Sequence, residues 1–394
     1  MGIKTREVRL SVALERKCFE GTLGFANSSH SKPLACKKSS LKADVFLAVL
    51  VYFYPMIRIL TIDGGGIRGI LPGQILTKLE EIIKEKSGDS DAKIGDYFDM
   101  IAGTSTGGIL TAFLLCPGFN GKAKYTAKEA VSIYIEQGGD IFEKSLGHSI
   151  TSAGGITDEK YQSSNLEKIL KEKLGHDLWL SSLIKPCLIT AYDIENRRAT
   201  FFNQTDALKP ENNFKVWEIA RATSAAPTYF EAAQITSEDG KKLTLVDGGV
   251  FANNPSLCAY AEARKYFKCI LERNISAKDI FMVSLGTGSI EKPYMYDSAK
   301  DWGVAQWIKP LVDIMMSGSS ETIDFQLKHI FDSEEVSDQY IRIEPGMGAS
   351  DQDMDSVSEL NLHSLKLAGE NSANLYEDKL EYIAEQLLKT KKSV

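Results

Sequence analysis

Arg58 to Ile62 (RILTI) is a short apolar, β-branched run that ends in Asp63 and three glycines, which predicts a buried strand entering a tight turn. Beyond the turn the period changes. Leu71, Ile75, Leu79 and Ile82 recur at helical spacing, Leu76 and Ile83 widen the stripe, and Pro72 suits the first turn of the helix. Lys84 to Lys93 is polar and contains Gly88, which predicts a loop. A second strand-like run, Tyr97 to Ala102, leads through Gly103 into a helix from about Thr106 to Leu115. Further strand candidates are Cys187 to Ala191, Leu243 to Val246 and Ile280 to Ser284, with helical stretches between and after them. Apolar strands alternating with helices predict the α/β class, a three-layer α/β/α sandwich around a largely parallel central sheet. Residues 118–180 carry few strand signals and are compatible with a helical cap. Internal repeats and low-complexity tracts are absent from the sequence.

The segment ahead of this pattern has a different character. Residues 1–44 lack a sustained period and carry a net charge of +5, whereas the remainder carries −12. An apolar run from Val45 to Tyr54 follows, closed by Pro55. A bilayer span needs roughly 20 apolar residues, so this run is too short. It also lies too far from the N-terminus, and lacks the small-residue cleavage site, for a signal peptide. A transit segment is disfavoured by Glu7, Glu15 and Glu20. Residues 1–55 are therefore expected to be a disordered or adventitious extension, with Met56 as an internal start. The functional unit is expected over 56–394, with a motif-bearing core at about 56–290 and a mainly helical part at about 300–394.

Composition narrows the classes further. A 394-residue chain that is 43% hydrophobic and 25% charged is long enough to bury a substantial core and reads as soluble and globular. The net charge of −7 gives no electrostatic footprint for nucleic acid. The six cysteines (Cys18, Cys36, Cys116, Cys187, Cys258, Cys269) form no metal spacing and no C-x-x-C pair, which suggests reduced thiols, a cytoplasmic setting and no metal or other cofactor.

The most informative chemistry is the G-x-S-x-G of Gly103 to Gly107, placed between a strand and a helix. A serine at the apex of such a turn has a strained backbone, and glycines two residues on either side relieve the crowding. The following helix aims its N-terminus at Ser105 and favours a developing oxyanion. Small residues also mark ordinary helix starts, so the pentapeptide alone does not decide. Asp63 to Gly69 (DGGGIRG) satisfies G-x-G-x-x-G, but no second strand ends in an acidic residue about 20 positions on, which argues against a dinucleotide site. Its bare backbone amides equally suit an oxyanion hole, or merely a tight connection. Asp247, with Gly248 and Gly249, ends an apolar strand ahead of Asn253-Asn254-Pro255; it sits at the serine's end of the sheet if the strands are parallel, or else simply initiates a turn. Of the five histidines (His30, His148, His176, His329, His363), none lies in a turn motif typical of a catalytic loop. His329 and His363 follow Asp247, so a triad stays formally open beside a dyad in which Asp247 meets the serine directly.

Together these blocks resemble the patatin-like phospholipase family. The carriers are DGGGIRG at Asp63 to Gly69, GTSTG at Gly103 to Gly107, ARATSAAPTYF at Ala220 to Phe230, and Asp247-Gly248-Gly249, in the family's order. The resemblance spans about Met56 to Gly288, and the tail around Trp307 to Phe331 and Tyr340 to Gly346 is more similar to bacterial members. It implies a patatin-like fold and Ser105 as nucleophile, with Asp247 as its proton acceptor and no catalytic histidine. Gly64, Gly65 and Gly66 would supply the oxyanion amides with Arg68 nearby, while Gly69, Gly103, Gly107, Gly248 and Gly249 shape the motifs. No metal is implied. The implied substrates are acyl esters of phospholipids, galactolipids or lysolipids, met by peripheral contact with membranes. Two alternatives remain: an effector phospholipase activated by a cyclic nucleotide, as in bacterial anti-phage systems, and a non-catalytic storage or scaffold protein on the same fold. Oligomeric state and lipid class are not legible.

Overall fold

The structure is a computed structural model that describes residues 56–142, 161, 163–289 and 293–389. The expectations for residues 1–55, and for His30, Cys18, Cys36 and His148, lie outside the described residues. The described elements begin with β1 (Ile57–Ile62), α1 (Ile70–Ser87), β2 (Met100–Thr104), α2 (Thr106–Leu114), α3 (Ala127–Ile141) and α4 (Ser163–Leu174). Then come β3 (Cys187–Asp193), β4 (Arg198–Asn203), α5 (Val216–Thr223), β5 (Ala233–Thr236), β6 (Lys242–Asp247) and the short α6 (Gly249–Ala252). The remainder is α7 (Ser256–Leu271), β7 (Ile280–Leu285), α8 (Tyr296–Ala299), α9 (Val304–Ser333), β8 (Tyr340–Ile343), α10 (Glu359–Leu375) and α11 (Glu377–Leu388).

One sheet gathers these strands in the order β5-β6-β3-β2-β1-β7-β8, with β4 added on β3. The β1–β2, β1–β7, β2–β3 and β7–β8 pairings are parallel, as expected from apolar strands alternating with helices. Successive side chains of the central strands enter opposite layers. Leu60, Ile62 and Ile101 pack into a core with α1, α2 and α3, whereas Ile57, Ile59, Met100 and Ala102 pack with α7 and the C-terminal half of α9. Both faces are buried, which is why these strands read as continuous apolar runs.

Three strands were not anticipated. β4 (RATFFN) is half exposed and does not alternate, β5 has only four residues, and β8 adds the C-terminal part of the chain to the sheet edge. The β3–β4, β3–β6 and β5–β6 pairings are antiparallel. The region suggested as a helical cap provides α3 and α4, whose Ile141 and Leu166 line the apolar cavity beside Ser105.

Candidate active site

Ser105 has φ 55° and ψ −121°, a conformation costly for a residue with a Cβ, at the junction of β2 and α2. Close backbone contacts hold it there. A Cβ on Gly103 would stand 2.1 Å from the Gly107 carbonyl oxygen, and one on Gly107 would stand 2.1 Å from that of Ile62. A Cβ on Gly69 would meet the Thr106 hydroxyl at 2.1 Å, and one on Gly248 the Thr190 hydroxyl at 2.0 Å. The glycines are thus required by close approach, not by local flexibility. The Ser105 amide donates to Thr223 Oγ1 (2.9 Å), whose hydroxyl donates to the Thr190 carbonyl (2.6 Å).

The Ser105 hydroxyl donates to Asp247 Oδ2 at 2.5 Å. The condition under which sequence reasoning brought these residues together, a parallel β6, is not met: β6 runs antiparallel to β3. They meet for another reason. β4 occupies one edge of β3 from Leu188 to Asp193, so β2 (beside Cys187 to Thr190) and β6 (beside Ala191 to Asp193) share the other edge end to end. Their C-terminal ends face each other, and the two chemical groups sit at that junction. The Ala220 to Phe230 block ties it together, because Thr223 accepts from the Ser105 amide and the Ala225 carbonyl accepts from the Asp247 amide (2.9 Å).

Asp247 is 3% exposed, and burial pushes its carboxyl up to about 7, against the smaller opposing effects of the Ser105 hydroxyl and the Gly249 amide. The Gly249 amide donates to Oδ1 at 2.7 Å, leaving Oδ2 for the serine. His176, His329 and His363 are exposed, and none bonds to Ser105 or Asp247; His329 contacts the Phe325 carbonyl instead.

The glycine turn lies beside the serine: a Cβ on Gly64 would be 3.2 Å from that of Ser105. The Gly64 amide is already engaged, donating to the Asn253 carbonyl (3.1 Å), and the Gly64 carbonyl accepts from Thr287 Oγ1 (2.7 Å). The Gly65 and Gly66 amides donate to no described group, so they are the open donors of the turn. Arg68 is buried; its amide and its Nε donate to the Gly65 carbonyl, at 3.2 and 3.3 Å, and its other end reaches the Gly288 carbonyl at 3.4 Å. In a trans peptide, fixing that carbonyl turns the Gly66 N–H the opposite way. The turn is anchored from far along the chain: Arg342 of β8 forms a two-pronged pair with Asp63, at 2.9 and 2.7 Å.

Ser105, Asp247 and Gly66 open into a cavity walled by Ile109, Ile141, Phe142, Leu166, Tyr229, Phe230, Val312, Met315, Met316 and Met354, an almost wholly apolar lining. Sequence reasoning missed Thr223 as the partner of the Ser105 amide, Thr287 as a brace of the turn and Arg342 as the partner of Asp63. Thr223 lies inside a recognised motif block; Thr287 and Arg342 lie in stretches that share the resemblance, but nothing in their local sequence points to the glycine turn.

Residues 60–259 match the family model described as patatin-like phospholipase. The chain is 35% identical over 341 residues to patatin-like protein 2 of Oryza sativa subsp. indica, covering 80% of this chain and 83% of that one. It is 32% identical over 362 residues to patatin group D-2 of Solanum tuberosum, covering 86% and 91%. A third relative, 33% identical over 331 residues and covering 80% and 86%, is named "Probable inactive patatin-3-Kuras 1" of Solanum tuberosum. These relatives are plant proteins and lend nothing to the bacterial likeness expected of the tail. The chain belongs to the patatin-like phospholipase family, a family of lipid acyl hydrolases.

Proposed function

We propose that this chain is a serine hydrolase of fatty acyl esters in membrane lipids, of the phospholipase A or lysophospholipase type, working through a Ser105–Asp247 dyad. The observation that carries this reading is the 2.5 Å contact between the two groups inside an apolar cavity, beside the open Gly65 and Gly66 amides. An ordinary aspartate is too acidic to be an effective base at neutral pH, and burial removes much of that handicap here. The apolar walls suit an acyl chain.

In the first half-reaction Ser105 Oγ attacks the ester carbonyl carbon as its proton moves to Asp247 Oδ2. Negative charge on the carbonyl oxygen is met by the Gly65 and Gly66 amides, with Arg68 holding the turn in place. The bond to the headgroup oxygen then breaks, and that oxygen takes the proton from Asp247. In the second half-reaction a water gives its proton to Asp247 and attacks the acyl carbon. The Ser105–acyl bond breaks, the proton returns to Oγ, and a fatty acid leaves. No step in this cycle calls on a histidine.

The test is fatty-acid release from vesicles of mixed phospholipid and galactolipid in EDTA, comparing wild type with Ser105→Ala and Asp247→Asn. Release by wild type that both substitutions abolish is expected. Folded wild type that releases nothing, or an Asp247→Asn variant that retains most of the rate, would overturn the reading.

A further inference from the structure

Helix α9 is apolar on two faces over its first half. Toward the protein, Val312 and Met316 line the acyl cavity, and Ser319 Oγ donates to the Phe251 carbonyl at 3.4 Å, so the helix roofs the turn that follows Asp247. On the far side Val304, Trp307, Leu311 and Ile314 recur every three or four residues and are 86, 40, 50 and 47% exposed. Residues 302–320 include only two charged positions, Lys309 and Asp313. A helix that is apolar all round ordinarily lies within a core or against lipid. The C-terminal half meets the first condition, since Leu327 and Phe331 are buried; the first half does not.

Two observations identify what covers it. Met315 belongs to both faces, 43% exposed and yet lining the cavity, so the uncovered stripe is continuous with the cavity that holds Ser105. Beside the stripe, Tyr294, Trp302 and Trp307 stack edge to face, with centroids 5.4 and 5.0 Å apart, and such amphipathic rings favour the boundary between water and hydrocarbon. We propose that the outward stripe of α9 docks on a lipid bilayer and seats the cavity against it, so that an acyl chain reaches Ser105 without crossing water. This rests on the lipid hydrolase reading above. With a net charge of −7, the chain gains nothing in bulk from anionic headgroups, so docking draws on apolar burial, favours zwitterionic lipid and is indifferent to salt.

Vesicle flotation of the full chain tests this, using phosphatidylcholine vesicles at low and high salt. Ser105→Ala is the parent, to keep the bilayer intact. The parent floats at both salt concentrations. Leu311→Glu with Ile314→Glu in that background lowers the bound fraction about tenfold or more, because neither residue lines the cavity and both lie at the centre of the stripe. Phe119→Glu, at a 94% exposed site beyond the C-terminal end of α2, leaves flotation unchanged. With Ser105 restored, the double variant cleaves a soluble short-chain ester within about twofold of wild type but vesicle lipid about tenfold more slowly. Equal flotation of parent and double variant overturns the proposal. So does a wild-type dimer that the double substitution splits while flotation is unchanged, which would assign the stripe to a second copy of the chain. Flotation lost in the double variant, with no ester of any kind cleaved by wild type, supports the docking surface while removing the hydrolase reading.

Discussion

Replacing Asp247 with Asn should abolish turnover and make the protein more stable at alkaline pH. The folded carboxyl is pushed up to about 7, from 3.8 in a solvated chain. Below pH 3.8 it is protonated in both states and contributes no pH-dependent term. Between 3.8 and about 7 the unfolded chain has released this proton and the folded one has not, so stability falls as pH rises; above about 7 the loss is constant. Linkage gives a penalty of about 1 kcal/mol at pH 4.5 and about 4 kcal/mol at pH 8. Asn removes the charge and keeps the contacts, with its carbonyl accepting from the Gly249 amide and its NH₂ facing the Ser105 oxygen. Asp247→Asn should therefore melt roughly 5 °C higher than wild type at pH 8 but only slightly higher at pH 4.5. Differential scanning calorimetry at the two pH values reads the difference directly. A variant no more stable than wild type at pH 8, or equally stabilised at both, would show that Asp247 is not held protonated by burial and would remove the argument that it is poised as a base.

The same carboxyl sets the rate profile: kcat/KM should rise with pH and level off above about 7, and a limb near pH 4 would refute the assignment. His329→Gln with His363→Gln should leave turnover within about tenfold of wild type, and a thousandfold loss would install a triad. Thr223→Val removes the acceptor of the buried Ser105 amide, at a cost of about 1–3 kcal/mol. It should lower kcat more than it raises KM, while Thr223→Ser restores the rate; equal kcat in the Val variant would mean that the elbow stands without this bond. Arg342→Met strands the buried Asp63 carboxylate and should cost about 3–5 kcal/mol by urea denaturation, part of which Asp63→Asn recovers in the double variant. Unchanged stability in the single variant would contradict the pairing.

What the sequence made legible, and what it hid, divides along a physical line. The serine elbow is written locally: the glycines at 103 and 107 are required by backbone oxygens at about 2 Å, and crowding of that kind leaves a fixed spacing in the chain. The central parallel strands are legible for a similar reason, since burial on both faces demands uninterrupted apolar runs. The orientation of β6 is not legible. An apolar strand ending in Asp-Gly-Gly looks the same whether its neighbour runs with it or against it, and Asp247 reaches Ser105 only because β4 has already taken the opposite edge of β3. The open amides of the glycine turn are hidden for a further reason. Which of Gly64, Gly65 and Gly66 keeps its N–H for a ligand depends on Asn253, 189 positions away from Gly64, and on Arg68, which fixes the Gly65 carbonyl. A glycine-rich motif therefore announces that backbone comes close to something. Only the tertiary partners decide which donors remain to stabilise charge, and here the Gly65 and Gly66 amides are left without an acceptor among the described residues while that of Gly64 is engaged.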